Sequence, residues 1–299
     1  MSHDMTILVP IDFSAHSRAA TERACQLGSV CDAEIRLFHA LQHSSSTPDY
    51  PLPKSAWAEM RNLGAAQLEE TRRGVSDRGL PASSRLDDND PAEAIRTAAR
   101  RADVGLVVMG SHGRRGLDRF LLGSVSERLL DGAPVPVLVV PEDEVDAAKE
   151  IHSILFATDF SKDAERAEEI VVEWARRLGS EVEVIHVIRE AIDLFAPYAV
   201  TVPTEIDTEM REAAEQRLSE VLGRFRRAGV LAKSKIVVGY ASEEILDRAE
   251  STGAQLIAMG SRGYSGLKRF RLGSVVQRVI RRSICSVLVA GPAPRDWGH

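Results

Sequence analysis

Apolar residues in this chain occur in short unbroken runs, separated by longer stretches in which they return every three or four positions. ILVPI (7–11), EIRLFHA (34–40), VGLVVMG (104–110) and VPVLVV (135–140) are such runs, and another strand is expected near 83–87. Between them, SAHSRAATERACQLG (14–28) sets Ala20, Ala24 and Leu27 on one helical face. Further helices are expected near 54–79, from Asp90-Pro91 through about Arg101, and over 124–130. Asp90 and Pro91 are the residue types of an N-cap and a first-turn proline. Strands that are apolar throughout and alternate with helices predict a parallel sheet covered on both faces, the doubly wound arrangement. Right-handed crossovers then place ligands at the carboxyl ends of the strands, where the winding reverses.

The pattern occurs twice. Residues 109–125, MGSHGRRGLDRFLLGSV, return as 259–275, MGSRGYSGLKRFRLGSV, with twelve of the seventeen positions identical at an offset of 150. Upstream the offset is 147, aligning ILVPIDFS (7–14) with ILFATDFS (154–161) and His39 with His186. The second copy predicts elements at 153–158, 162–179, 181–187, 205–229, 231–238, 242–252, 255–260, 274–282 and 286–290. Its helix 162–179 carries Ala167, Ile170, Val171, Trp174 and Leu178 at helical spacing. The polar stretch 141–152, opening on a proline, marks the boundary, and the tail PAPRDWGH is expected to fray. The expectation is two tandem α/β domains of Rossmann-like type, 1–141 and 152–292, each a five-stranded parallel sheet flanked by helices.

Composition narrows the class. With 299 residues, 44% hydrophobic and 27% charged, the chain has the makings of two ordinary cores. A formal net charge of −6 argues against a dedicated nucleic-acid binder. Cys25, Cys31 and Cys285 lie in no metal or dithiol pattern, and Cys25 falls on a helix face as a core residue. The opening residues lack a basic segment followed by a long apolar one, and no run of about 18 apolar residues occurs, so a cytoplasmic protein with no membrane partner is expected.

The chemistry is expected after the fourth strand of each copy. Gly110, Gly113 and Gly123-Ser124, and again Gly260, Gly263 and Gly273-Ser274, have the form G-x2-G-x9-G-S. Gly110 and Gly260 suit a strand end in a conformation closed to other residues, and Gly113 and Gly263 suit a close approach of backbone amides to a ligand. The glycine-serine pair opens a helix whose free amides and positive dipole end favour phosphate. A purely turn-forming role, with each serine an ordinary N-cap, is the competing reading.

On these residues the chain resembles the tandem universal stress proteins, over essentially its whole length. The ATP-binding branch of that family is similar in the glycine element, in a first strand ending on a D-x-S triplet, here Asp12-Phe13-Ser14 and Asp159-Phe160-Ser161, and in an apolar fifth strand. The resemblance implies an adenine nucleotide, ATP with or without Mg2+, in one or both domains, and a stress-response or regulatory role with at most slow hydrolysis. It implies that Asp12 and Asp159 line the adenosine end together with Pro10 at the close of the first strand. Ala40 and Val187, just after the second strands, and Met109 and Met259 would border adenine. The glycine loops, with Val125 and Val275 following the serines, would hold ribose and phosphates. A carboxylate repels a triphosphate, so Asp12 and Asp159 must face adenine or ribose donors, or reach phosphate through a metal ion.

The loops 111–122 and 261–272 sum to +2 and +4, the latter from Arg262, Lys268, Arg269 and Arg271, which predicts tighter phosphate binding in the second domain. Pro10 becomes Ala157, Ala40 becomes Val187 and His112 becomes Arg262, so the two sites are not identical. His39 and His186, ending apolar strands, are expected to be packed and hydrogen-bonded rather than ligands. An adenylating or pyrophosphatase-type enzyme would need a glycine-serine-rich loop after the first strand, where this chain has PIDFSAHS and ATDFSKDA. An interaction protein that has lost its nucleotide remains the other alternative. The fifth strands VPVLVV and CSVLVA would be exposed edges if unpaired, so they are expected to pair with each other within the chain. A homodimer is also conceivable, though no residue specifies it.

Overall fold

A computed structural model describes residues 5–41, 53–112, 122–141, 150–189, 205–263 and 272–291. The chain divides into two compact units, the second of them Glu150–Ala290. In the first unit, β1 (Thr6–Pro10), α1 (Ala15–Cys31), β2 (Glu34–Ala40), α2 (Lys54–Ser76), β3 (Ala82–Asp87), α3 (Pro91–Ala99), β4 (Val104–Gly110), α4 (Ser124–Leu130) and β5 (Val137–Val140) follow one another. The strand order is β3-β2-β1-β4-β5 and every pairing in it is parallel. The second unit repeats the sequence as β6 (Ser153–Ala157), α5 (Lys162–Leu178), β7 (Glu181–Ile188), α6 (Glu205–Arg227), β8 (Ala232–Val238), α7 (Ala241–Thr252), β9 (Leu256–Gly260), α8 (Ser274–Arg282) and β10 (Ser286–Ala290). Its order is β10-β9-β6-β7-β8, again parallel.

The winding in each unit starts at the central strand, runs outward through two strands, and then reverses to the other side. The reversal lies between β1 and β4, and between β6 and β9. A crevice therefore opens at the carboxyl ends of these pairs. The central strands are apolar throughout because helices cover both faces: Ile7, Leu8, Val9, Leu106, Val107 and Val108 are all fully buried. On α5 four residues of the expected stripe, Ala167, Ile170, Val171 and Trp174, are buried, while Leu178, the last residue of the helix, is only half-buried. Each large aliphatic side chain so buried contributes about 1.5–3 kcal/mol.

Two local expectations are corrected. Helix α1 does not stop at Gly28 but runs to Cys31 and ends on Asp32, whose φ is 51°. Gly28 is a packing residue, since a Cβ there would lie 2.7 Å from Ile35 Cδ1. The fifth strand of the first unit starts at Val137 rather than 135, because Pro136 has no N–H to give a ladder and only its carbonyl is used, by Val107 N–H at 3.0 Å. Asp90 does cap α3, accepting from Glu93 N–H at 3.2 Å, with Pro91 in the first turn. Among the described residues no helix is long and apolar enough to cross a membrane.

Candidate functional site

The D-F-S triplets sit where β1 and β6 hand over to helices. Asp12 Oδ1 accepts from Ser14 N–H at 3.0 Å and from Ser14 Oγ at 2.6 Å, and Asp159 Oδ1 accepts from Ser161 N–H at 3.0 Å. Ser14 and Ser161 in turn cap α1 and α5, accepting from Ser17 N–H and Ala164 N–H. One oxygen of each aspartate is thus committed to a turn, which is the structural role such a residue has on its own.

A feature without a simple sequence signal lies between those residues. Phe13 and Phe160 both have left-handed backbones, φ 65° and 61°, a conformation that bulky residues avoid. Each ring rests on a histidine of the neighbouring strand: Phe13 on His39 with centroids 4.6 Å apart, and Phe160 on His186 at 4.4 Å. The histidines are anchored from below, Nδ1 donating to Ile11 C=O at 2.6 Å and to Thr158 C=O at 2.8 Å. Burial depresses the His186 pKa, which favours a neutral ring with its proton on Nδ1. They are packed, hydrogen-bonded residues, as their place at the strand ends suggests. In the second unit Arg217 of α6 also lies over the Phe160 ring, 4.5 Å from its centroid. Cys25 is buried as expected, and desolvation pushes its thiol up to about 11.

Across the crevice stand the glycines. Gly110 and Gly260 end β4 and β9 without positive φ, so the expected special backbone conformation is absent. Space is the reason for glycine. A Cβ on Gly110 would lie 2.6 Å from His16 Cβ, and one on Gly260 would lie 2.6 Å from Ala164 N and from the Asp163 carbonyl carbon. The first turns of α1 and α5 therefore pass directly over these strand ends. Gly263 is exposed, its missing Cβ 2.7 Å from Asp159 Oδ2. Gly113 and residues 114–121, with Lys268, Arg269 and Arg271, lie outside the described residues.

Gly123 and Gly273 are the N-caps of α4 and α8. Their amides turn inward, to Ser111 C=O at 3.0 Å and Ser261 C=O at 2.9 Å, and so tie the helix start to the strand end. The first helical bonds are Glu127 N–H to Gly123 C=O and Gln277 N–H to Gly273 C=O. The amides of Ser124 and Val125, and of Ser274 and Val275, accordingly have no acceptor inside their helices. The serines are exposed and occupy the first helical position, not the cap.

Pro10 closes β1 and Ala40 closes β2, while Val187 is the penultimate residue of β7, one position inside the strand rather than after it. Met109 and Met259 are each 4% exposed and precede the strand-end glycines. The described candidates of each unit are therefore carried at the same carboxyl end of one sheet, around the winding reversal. Arg262, counted above as a phosphate charge, is engaged elsewhere: its Nε donates to Asp163 Oδ2 at 3.0 Å. Asp163 is the residue that sequence reasoning missed. It stands at His16's place in the repeat, and the paired change from His16 and His112 to Asp163 and Arg262 is the signal that reveals it.

A doubly wound parallel sheet flanked by helices defines an α/β protein of Rossmann-like type, here in tandem. The sequence profile described as the universal stress protein family matches residues 5–141 and again 150–291, and the chain belongs to that family. A universal stress protein of Mycolicibacterium smegmatis is 29% identical over 294 residues, covering 96% of this chain and 97% of its own. One from Mycobacterium tuberculosis is 28% identical over 293 residues, covering 95% and 96% respectively. Among solved structures, a universal stress protein from Archaeoglobus fulgidus superposes with a TM-score of 0.74 at 28% identity, covering 97% of this chain and 98% of that one.

Proposed function

We propose that each unit binds an adenine nucleotide, ATP with its Mg2+, across the carboxyl ends of its central strands, and that the chain acts as a nucleotide-dependent regulatory protein of the stress response. The observation that carries this reading is the glycine at the cap of α8. Its φ of −60° and ψ of 143° are open to any residue, and a Cβ there would have its nearest neighbour, Ser261 C=O, at 3.4 Å. Serine caps a helix better than glycine. Neither backbone nor packing asks for glycine, so the space in front of it is what the residue provides. Gly123 has the same backbone, with φ −60° and ψ 140°. A phosphate in that space would meet the amides of Ser274 and Val275 and the positive end of the helix.

Asp12 and Asp159, each with one oxygen held in a turn, face the ribose or adenine side in this reading. Met109 and Met259 border the base with Ala40 and Val187, and Pro10 closes the first pocket. Binding to the folded chain alone would stabilise it by about 2.7 kcal/mol at a hundredfold excess over Kd. Millimolar Mg-ATP is therefore expected to raise the melting temperature, and no shift would end the proposal. Gly273→Ser is expected to keep stability within about 0.5 kcal/mol while abolishing the nucleotide response of the second unit.

We also propose that the two fifth strands pair with each other within one chain. Taken singly, each unit's strand order ends on β5 or β10, an apolar strand with a free row of backbone groups. Slow amide exchange along both strands in the monomeric chain is the expected result, and fast exchange on either would disprove the pairing.

A further inference from the structure

The cores of the two units are nearly interchangeable. Ile7, Leu106 and Met109 of the first have Ile154, Leu256 and Met259 at the same places in the second, all buried. The strands bearing them pair in the same register, Ile7 with Leu106 and Ile154 with Leu256. Apolar burial is non-directional, so it gives an element of one unit little reason to refuse its counterpart from the other. Similar halves in one chain are prone to exchange elements within a molecule or between molecules.

The buried charges are not interchangeable. Arg36 on β2 stands beside Ser83 of β3, as Glu183 on β7 stands beside Lys233 of β8. Arg36 Nη2 donates to Glu34 Oε2 at 3.1 Å and lies 2.8 Å from Asp103 Oδ2. Glu183 is buried with the opposite charge, its Oε1 accepting from Arg248 Nε at 2.9 Å and Nη2 at 2.6 Å, with Lys233 Nζ 3.7 Å from Oε2. Ala98 occupies Arg248's place in the first unit, and Gly253 occupies Asp103's place in the second. The helices differ in the same way. Glu22 of α1 binds Arg78, just beyond α2, whereas Glu168 of α5 binds Arg224 of α6. The counterparts of Arg78 and Glu168 are Ala228 and Thr21, so neither pair has an equivalent in the other unit.

We infer that these non-equivalent ion pairs are an identity code, which keeps the second strand of each half with its own third strand and crossover helix and rejects those of the other half or of a second copy of this chain. If β2 received β8 and α7, Arg36 would lie beside Lys233 and Arg248, three cations with only Glu34 against them. If β7 received β3 and α3, Glu183 would face Ser83 and Ala98, a buried carboxylate stripped of its cations. Like charges brought together suppress a wrong partner, and a desolvated charge left unpaired does the same. Both hybrids are penalised, while both correct units satisfy their charges.

Refolding of the full chain from urea at rising protein concentration tests the code, with swapped assemblies read by size-exclusion chromatography and the native fold by the urea midpoint. The unaltered chain is expected to return, at every concentration, to the species it shows before unfolding. Glu183→Arg with Lys233→Ser, Arg248→Ala and Gly253→Asp writes the first unit's charges into the second, where Glu181 already stands at Glu34's place. The halves are then alike, and the swapped fraction is expected to rise about tenfold or more, the scale on which like-charge contacts exclude wrong partners. The converse set, Arg36→Glu with Ser83→Lys, Ala98→Arg and Asp103→Gly, is expected to do the same. All eight changes together give each unit the other's charges, and faithful refolding is expected to return because the halves differ again. Pairs that merely stabilised their own unit would lower the midpoint and show no such recovery. Concentration-dependent swapping in the unaltered chain, faithful refolding of a chain with alike halves, or an eight-change variant that swaps as much as the four-change ones would each overturn the code.

Discussion

Gly260→Ala is expected to destabilise the second unit by about 2–3 kcal/mol, the upper part of the range for forcing a methyl group into packed structure, and to abolish the nucleotide response proposed for it. The added Cβ would fall 2.6 Å from Ala164 N and from the Asp163 carbonyl carbon, which are backbone atoms of a helix capped by Ser161 and cannot rotate away. Relief requires α5 to move off the sheet, and with it the stripe of Ala167, Ile170, Val171 and Trp174. Urea unfolding followed through the tryptophan signal would show the second unit melting early. An unchanged midpoint would mean that α5 does not pass over the strand end as described. The contrast with Gly273→Ser is the sharper test: both replace a glycine of one motif, yet only the first meets backbone within 3 Å.

Arg224→Met carries the second large effect, a loss of about 2 kcal/mol, below the roughly 3–5 kcal/mol that breaking a fully buried ion pair costs because Arg224 is itself 44% exposed. Glu168, on the buried side of α5 and 5% exposed, accepts from Arg224 Nε and, at 2.8 Å, from its NH2. The same carboxylate holds the Arg224 guanidinium above the ordinary arginine range. Removing the guanidinium leaves a buried charge without its strongest partner, whereas Arg224→Met combined with Glu168→Leu removes the charge as well. The double variant is expected to regain most of the loss, as apolar replacements of buried pairs do. Chemical denaturation of the four proteins of this cycle measures it, and equal losses in the single and double variants would contradict the account.

Much of the fold was legible because it depends on local periodicity. Apolar runs named the strands, and α5 could be drawn with its buried face from spacing alone. Local signals misled where a residue type has two uses. Gly28 reads as a helix stop but is a contact with Ile35 inside α1, and Gly110 and Gly260 read as conformational glycines but are clearance for a crossing helix. In the site, the glycine spacing and the D-F-S triplets were visible. The left-handed Phe13 and Phe160 were not, since nothing in D-F-S distinguishes an aromatic that pays a backbone cost from one that does not; the histidine platforms lie 26 residues further along.

The order of elements, the duplication and the family were determined by the sequence itself, because each is written in neighbouring residues or in a repeat of them. What the tertiary structure decided is which charges are spoken for. Arg262 counts toward phosphate in any sum along its loop, and only the crossover from β6 through α5, which returns a residue 99 positions earlier to its side, commits its Nε to Asp163. An ion pair depends on distance in space, and chain connectivity does not specify that distance until the sheet has been wound.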